Sequence, residues 1–396
     1  MTSKTASAAP VRRSRASKRL RRELVEQLSA NGALQSAAVR RAFLAERRER
    51  FLPEVAEREG LKRVYENQAI VTAKDERGIP ASSSTQPSMM ASMLEQLDLR
   101  PGQRVLEVGA GTGYNAALLA RLVGARGRVV SVELDPATAR RARRALARTG
   151  SRATVVRGDG REGWARGAPY DRIIVTASTA TVAPAWYEQL AGGGLVELPL
   201  RLRQAGEQQA IVTLRKEGDA LRSQALLQGG FMPLRDAPGA PVPPPAPTLS
   251  ATEFLNGRPR SLAHLSGVAL RGLSAAHRRR LLSLVLSEPR RRELGVRAPR
   301  AALTLYISLE APEDRLVGGW PWPAVISRDG AGVALLAGGP KTLTRVESKG
   351  DRGAERLLFQ LVEEWKQRGR PSDDALRVEV TFREGISPGV ALSWDS

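Results

Sequence analysis

Apolar residues recur at helical spacing near the start of the chain. Leu20, Leu24, Val25 and Leu28, then Val39, Phe43 and Leu44, predict two amphipathic helices over 17–30 and 36–48, ahead of Phe51-Leu52-Pro53. After residue 100 short apolar runs, 105–108, 128–133, 153–157, 170–177 and 194–199, alternate with helical stretches such as 136–149 and 183–191. Such alternation predicts an α/β fold with a parallel, doubly wound sheet and its ligands at the carboxyl ends of the strands. Residues 208–228 read as antiparallel strands added to that sheet, and Gly229-Gly-Phe-Met-Pro-Leu-Arg closes the unit. Pro238 to Pro247 reads as an extended linker. Beyond it a smaller C-terminal α+β domain is predicted, with helices 274–287 and 352–369 and strands Ala302–Leu309, Val333–Leu336 and Leu376–Phe382. Residues 1–16 show no apolar period, which predicts disorder. The expected organisation is therefore a basic tail over 1–16, an α/β domain over 17–237, a linker over 238–250 and an accessory domain over 251–396, a candidate peptide-binding module.

The first strand of the α/β unit, Val105-Leu-Glu-Val-Gly-Ala-Gly-Thr-Gly-Tyr, runs into a glycine turn and an alanine- and leucine-rich helix. Gly109, Gly111 and Gly113 allow positive φ and close approach to a ligand, and the helix start offers N–H groups to polar or anionic atoms. A dinucleotide site uses G-x-G-x-x-G. Here the third glycine comes one residue early and Tyr114 stands where the packing glycine would be. The G-x-G-x-G form preceded by Glu107 is the one S-adenosylmethionine (SAM) methyltransferases use. Glu133 ends the second strand, where a carboxylate can accept both ribose hydroxyls, and Gly158-Asp159-Gly160 follows the third. Upstream, Ser82 to Thr85 precede Gln86, Pro87 and a helix running to Leu97. One hydroxyl would cap that helix; four in a row suit recognition of a polar substrate.

Composition narrows the chemistry. At 396 residues the chain is long enough for two domains, and 42% of it is hydrophobic. It has no apolar run of membrane-span length and no signal-peptide core, which predicts a cytoplasmic protein without a membrane partner. Absence of cysteine excludes disulfides, thiolate metal sites and cysteine nucleophiles. His264 and His277 have no paired spacing, so no metal centre is expected. The net charge of +21 raises nucleic acid as a partner. Only eight of the 62 basic residues are lysine, however, as GC-rich coding would produce, and steering of an acidic peptide is a third cause. Nucleic acid fits poorly at the chemistry: base C-methylation calls for a cysteine, and amino methylation for Asn/Asp-Pro-Pro-aromatic where this chain has Thr176-Ala-Ser-Thr. Ribose methylation stays open as a second alternative.

Arg50-Phe-Leu-Pro, Val64-Tyr-Glu-Asn, Gln86-Pro-Ser-Met-Met-Ala-Ser-Met-Leu, Val105 to Ala120, Gly158-Asp-Gly and Ala168-Pro-Tyr-Asp-Arg-Ile-Ile-Val-Thr-Ala occur in one order. In these motifs, over about residues 36 to 235, the chain resembles the protein-L-isoaspartate O-methyltransferases. The resemblance implies a class I SAM-methyltransferase fold with N-terminal helices and SAM as cofactor. Gly109, Gly111, Gly113, Glu133 and Asp159 would contact SAM, with Glu107, Tyr114, Asn115, Leu134, Gly158 and Gly160 around them. Thr85 and Ser84 would hold the substrate carboxylate and Gln86 would meet the neighbouring peptide group, with Ser83, Pro87, Ser88 and Thr176 on the substrate side. Two departures stand out: Thr85-Gln86-Pro87-Ser88 replaces Ser-x-Pro-His/Tyr, and the repair enzymes are expected to lack a C-terminal domain of this size. Both features resemble the branch of the family associated with lanthipeptides and graspetides. Its members methylate an aspartate of a precursor peptide, which closes to aspartimide and reopens as isoaspartate. The expected function is tailoring of such an acidic precursor, with repair of L-isoaspartyl residues in proteins as the alternative. In both, the nucleophile is the substrate's own carboxylate, ionised at neutral pH, and no enzyme base is needed.

Overall fold

The computed structural model describes residues 8–74, 76, 78, 80–203, 209–235, 248–255, 258–320, 324–383 and 386–395. Four helices come first: α1 (Ala8–Ala30), α2 (Ala37–Ala45), α3 (Pro53–Arg58) and α4 (Gly60–Val64). α1 begins at Ala8, so residues 8–16 are helical where the sequence predicts a disordered tail. Ser17 on α1 is buried and its hydroxyl donates to Glu49, 2.7 Å away, tying the helix to the single turn at 48–50. Ser36 caps α2 by accepting from the Val39 N–H. A hairpin follows, β1 (Ile70–Lys74) and β2 (Pro80–Ser84), paired antiparallel, and then α5 (Pro87–Gln96), opened by a proline where no N–H is needed.

The alternating unit is β3 (Arg104–Val108), α6 (Tyr114–Val123), β4 (Arg128–Glu133), α7 (Pro136–Thr149), β5 (Thr154–Arg157), β6 (Tyr170–Val175), α8 (Pro184–Gln189) and β7 (Leu190–Arg201). Its strands are parallel, in the order β7-β6-β3-β4-β5. β3 is covered on both faces, which is why it reads as an unbroken run rather than an alternating one. β8 (Gln209–Glu217) and β9 (Ala220–Gln228) extend the sheet antiparallel. This is the class I SAM-methyltransferase architecture with a mixed central sheet.

The rest of the chain is rich in strands: β10 (Thr248–Leu255), β11 (Arg258–Ser266), α9 (Ala275–Leu286), β12 (Arg290–Pro299), α10 (Arg300–Glu310), β13 (Leu316–Trp320), β14 (Ala324–Ile326), β15 (Gly332–Gly338), β16 (Thr342–Gly350), α11 (Gly353–Gln367), β17 (Leu376–Arg383) and β18 (Ile386–Trp394). Seven of these strands form one sheet in the order β10-β11-β13-β14-β15-β16-β12. β17 instead pairs with β9, and β18 with β17, so the nine-stranded first sheet runs β18-β17-β9-β8-β7-β6-β3-β4-β5. That sheet spans the division expected over 238–250, a segment of which residues 238–247 lie outside the described residues.

Residues 302–309 are not the strand their sequence suggests; they belong to α10. Ala302, Leu303, Leu305, Tyr306 and Ile307 are all buried. Leu305 packs in the core of the first sheet with Leu376 and Val378, while Leu303, Tyr306 and Ile307 pack in the core of the second. A helix buried all round has no polar face and so no amphipathic period. Each large side chain buried there contributes about 1.5–3 kcal/mol to joining the two layers.

β7 carries Glu197, which is fully buried and accepts a hydrogen bond from the Thr213 hydroxyl of β8 at 3.4 Å. Burial pushes its carboxyl well above the ordinary range. The folded state thus prefers the protonated acid. Its contribution to stability is intact below the unfolded pKa of about 4.3 and is lost as pH rises towards the folded value. Denaturant melts should therefore find Glu197→Gln equal to the parent near pH 4 and progressively more stable than it between pH 5 and 8. A difference that does not change with pH would contradict this.

Candidate active site

The carboxyl ends of the parallel strands open on a cavity of about 420 Å³, within the size range of small-ligand pockets. One wall is the turn between β3 and α6. Gly109 has φ +97°, and a Cβ there would lie 2.5 Å from Thr176 Oγ1, so only glycine fits. The Thr176 hydroxyl donates to the Gly109 carbonyl at 2.9 Å, pinning the end of β6 to the turn. Gly111 has φ +50°, and a Cβ there would lie 3.4 Å from the Ser83 carbonyl: the β1–β2 hairpin lies across the turn.

Glu133, at the end of β4, is 7% exposed and also lines the cavity. Its two oxygens accept the Gly111 and Asp135 N–H groups, each at 3.1 Å. Two backbone donors fix the carboxylate, and each oxygen keeps capacity for one further donor, which suits a vicinal diol. Ala110, Thr112, Asn115, Leu134 and Gly160 complete this half. The donor set fits SAM, with a carboxylate suited to a ribose diol on one strand and the exposed backbone of a glycine turn on the next.

Several expected cofactor contacts lie elsewhere. Glu107 is fully buried behind the turn, accepting from Asn115 Nδ2 at 2.8 Å and from the Ser131 hydroxyl. Burial pushes its pKa up, to about 7, against the pull of those two hydrogen bonds. It orients Asn115 rather than lining the cavity. Tyr114 is 1% exposed and faces the N-terminal helices, edge-on to Phe43 at 6.2 Å and tilted against Phe51 at 5.4 Å. As the first residue of α6 it projects on the helix face turned away from the glycine turn. Gly113 packs against α7. Gly158 and Asp159 lie at the end of β5 but off the cavity wall; Asp159 accepts the Arg161 N–H at 2.9 Å and caps the turn at 160–162. Gly160 does line the cavity, and a side chain there would collide with Val108.

Across from the turn, Ser82, Ser83, Ser84, Thr85 and Gln86 form the second wall. Ser84 is 3% exposed, and its Oγ accepts from Arg48 Nη2 at 3.2 Å. Pro87 and Ser88 are off the wall. The Ser88 N–H donates to Asn67 Oδ1 at 2.9 Å, so Ser88 belongs to the start of α5, which Asn67 caps. The sequence reading missed a third wall, Gly229 to Arg235. Ser178 holds it through two backbone bonds of 2.8 Å, to the Met232 carbonyl and from the Leu234 N–H. Its signal was the Gly-Gly-Phe-Met-Pro run, read only as the end of the unit. Among the described residues lining the cavity, Glu133 and Arg235 are the only charged side chains, and no histidine, lysine or aspartate is present.

Residues 18–238 match the family model described as protein-L-isoaspartate(D-aspartate) O-methyltransferase. The chain is 37% identical over 217 residues to the protein-L-isoaspartate O-methyltransferase of Pyrobaculum neutrophilum, a match covering 54% of this chain and 98% of that protein. It is 40% identical over 180 residues to the enzyme of that name from Thermotoga maritima, covering 45% of this chain and 55% of that protein. A solved structure of a protein-L-isoaspartate O-methyltransferase aligns with a TM-score of 0.53 and 26% identity, over 94% of this chain and 99% of its own. That alignment takes in most of the C-terminal part. Contrary to expectation, an isoaspartyl enzyme therefore does carry a C-terminal part of comparable extent. Among the described residues no helix is long and apolar enough to cross a membrane.

Loss of a charged hydrogen-bonding group costs about 1.5–3 kcal/mol, so Glu133→Ala should raise the calorimetric Kd for SAM by roughly 10- to 100-fold. Tyr114→Phe, on the far side of the turn, should leave it unchanged. Equal effects of the two would contradict the placement of the cofactor.

Proposed function

The chain belongs to the protein-L-isoaspartate O-methyltransferase family of SAM-dependent protein carboxyl methyltransferases, and from that premise we propose that it methylates the free carboxylate of L-isoaspartyl residues in proteins. Esterification is the step that lets such a residue close to the imide and reopen as aspartate. The observation that carries the reading is the chemistry of the walls. SAM supplies an electrophilic methyl group when bound. An alcohol, amine or ribose hydroxyl would need a base to become a nucleophile, and the described walls offer none: Glu133 is committed to the glycine-turn side and Arg235 is a cation. A carboxylic acid of pKa about 4 arrives ionised.

What remains for the protein is to hold, orient and dry that anion. The Ser84 and Thr85 hydroxyls are neutral donors, so they position the carboxylate without protonating it. Met89, Met90, Phe231 and Met232 line the same cavity and keep water from the attacking oxygen. After methyl transfer the ester activates its own carbonyl towards the next backbone nitrogen, and no further residue is required.

The precursor-tailoring role has less behind it. Its C-terminal argument falls with the shared coverage, and threonine at position 85 supplies the same hydroxyl as serine. Ribose methylation would need the missing base.

Incubated with SAM and two peptides that differ only in one residue, isoaspartyl or aspartyl, the protein should form methyl ester on the isoaspartyl peptide, followed by mass. Ester on the aspartyl peptide alone would reject the repair reading. Thr85→Ala should lower kcat/KM for the isoaspartyl peptide by roughly 100-fold with SAM affinity unchanged. A matching loss of SAM binding would remove Thr85 from the substrate side.

A further inference from the structure

Behind the substrate wall sits a charge that the reaction as described does not use. Arg48, on the turn at 48–50, is fully buried. Its Nη1 donates to the Val64 carbonyl at 2.9 Å and the Glu66 carbonyl at 3.3 Å, and its Nη2 to Ser84 Oγ and the Thr85 carbonyl, both at 3.2 Å. The guanidinium carbon lies 6.0 Å from the centre of the Tyr114 ring, and Nε has no partner among the described residues. The neighbouring acid, Glu49, is taken up by Ser17, Tyr65 and Arg47. Among the described residues no carboxylate pairs with Arg48; its charge is met only by neutral groups. Burial lowers its pKa to about 10, so it stays protonated at neutral pH.

An unpaired buried cation is costly and persists where something else needs it. Here two of its four acceptors belong to the loop that lines the cavity. The geometry also fixes the direction of the hydroxyl. By donating to Ser84 Oγ, Arg48 occupies an acceptor lone pair and leaves the O–H free to donate towards the cavity, polarised by the cation behind it.

Resting on the carboxyl-methyltransferase reading, we propose that Arg48 is a positioning residue for the substrate: its buried guanidinium acts through Ser84 and the Thr85 backbone to select an anionic carboxylate. The carboxylate becomes the counter-ion that none of the described residues provides. Because a neutral hydroxyl stands between them, the nucleophile is attracted without being locked in a direct ion pair that would dull it.

The test uses the full chain with S-adenosylhomocysteine and two peptides, one isoaspartyl and one with the same residue's free carboxylate changed to a carboxamide. Dissociation constants are measured for each. The wild type should prefer the carboxylate. Arg48→Met should weaken carboxylate binding by roughly 30-fold or more and leave carboxamide binding within about threefold, removing the preference. Arg48→Lys should restore part of it. Arg48→Gln, which keeps an amide donor in the buried site but removes the charge, should also lose the preference, and it carries the test if Arg48→Met does not fold. A purely structural Arg48 would weaken both peptides alike, or keep the preference in Arg48→Gln; either result overturns the proposal. Those outcomes are distinct from failure of the functional reading, in which the wild type itself shows no methylation of the isoaspartyl peptide.

Discussion

The contact between the glycine turn after β3 and its two neighbours, the end of β6 and the β1–β2 hairpin, is the constraint on which the site depends. Gly109 meets the Thr176 hydroxyl at a distance no side chain permits, and Gly111 runs under the Ser83 backbone. With the turn held so close, Glu133 is fixed by the Gly111 N–H on one side and the hydroxyl run faces it across the cavity on the other. The two walls proposed to take cofactor and substrate are brought within reach by backbone packing. That is the form of catalysis expected when the chemistry needs no proton moved: proximity, orientation and a dry surface.

The remainder of the chain supports this arrangement from a distance. The N-terminal segment contributes the buried Arg48, on the turn at 48–50, and Phe43 and Phe51, on which Tyr114 rests. The C-terminal strands do not stand apart, because β17 and β18 lengthen the first sheet beyond β9 and α10 is packed into both cores. Relatives matched over nearly their whole length yet only 54% of this chain show that the α/β part occurs without that addition. The solved structure matched over 94% of this chain shows that the addition also occurs within the same family.

Much of the α/β part was legible because its signals are local. Parallel strands buried on both faces read as continuous apolar runs, and α7 shows its period through arginines on one face and alanines on the other. The glycines and Glu133 announced a ligand because they stand at successive strand ends. What was missed depends on contacts far apart in sequence. α10 lost its period by being buried all round. The pairing of β17 with β9 joins residues about 160 positions apart and leaves no local trace. Arg48 read as one of many basic residues, and only its burial behind Ser84 sets it apart. Tyr114 and Ser88 adjoin true cavity residues in sequence but turn away from them, a distinction set by helix geometry and capping.

In the proposed reaction the acceptor comes to the site already ionised, and no enzyme group has to take a proton. The most direct measurement is the pH dependence of single-turnover methyl transfer to an isoaspartyl peptide at saturating SAM, in the wild type and in Glu107→Gln, since Glu107 titrates near 7. The rate should climb through the substrate's own carboxyl pKa near 4 and then stay level from about pH 6 to pH 9 in Glu107→Gln. A rising limb of unit slope between pH 6 and 9 that survives in Glu107→Gln would reveal a catalytic base and contradict the account.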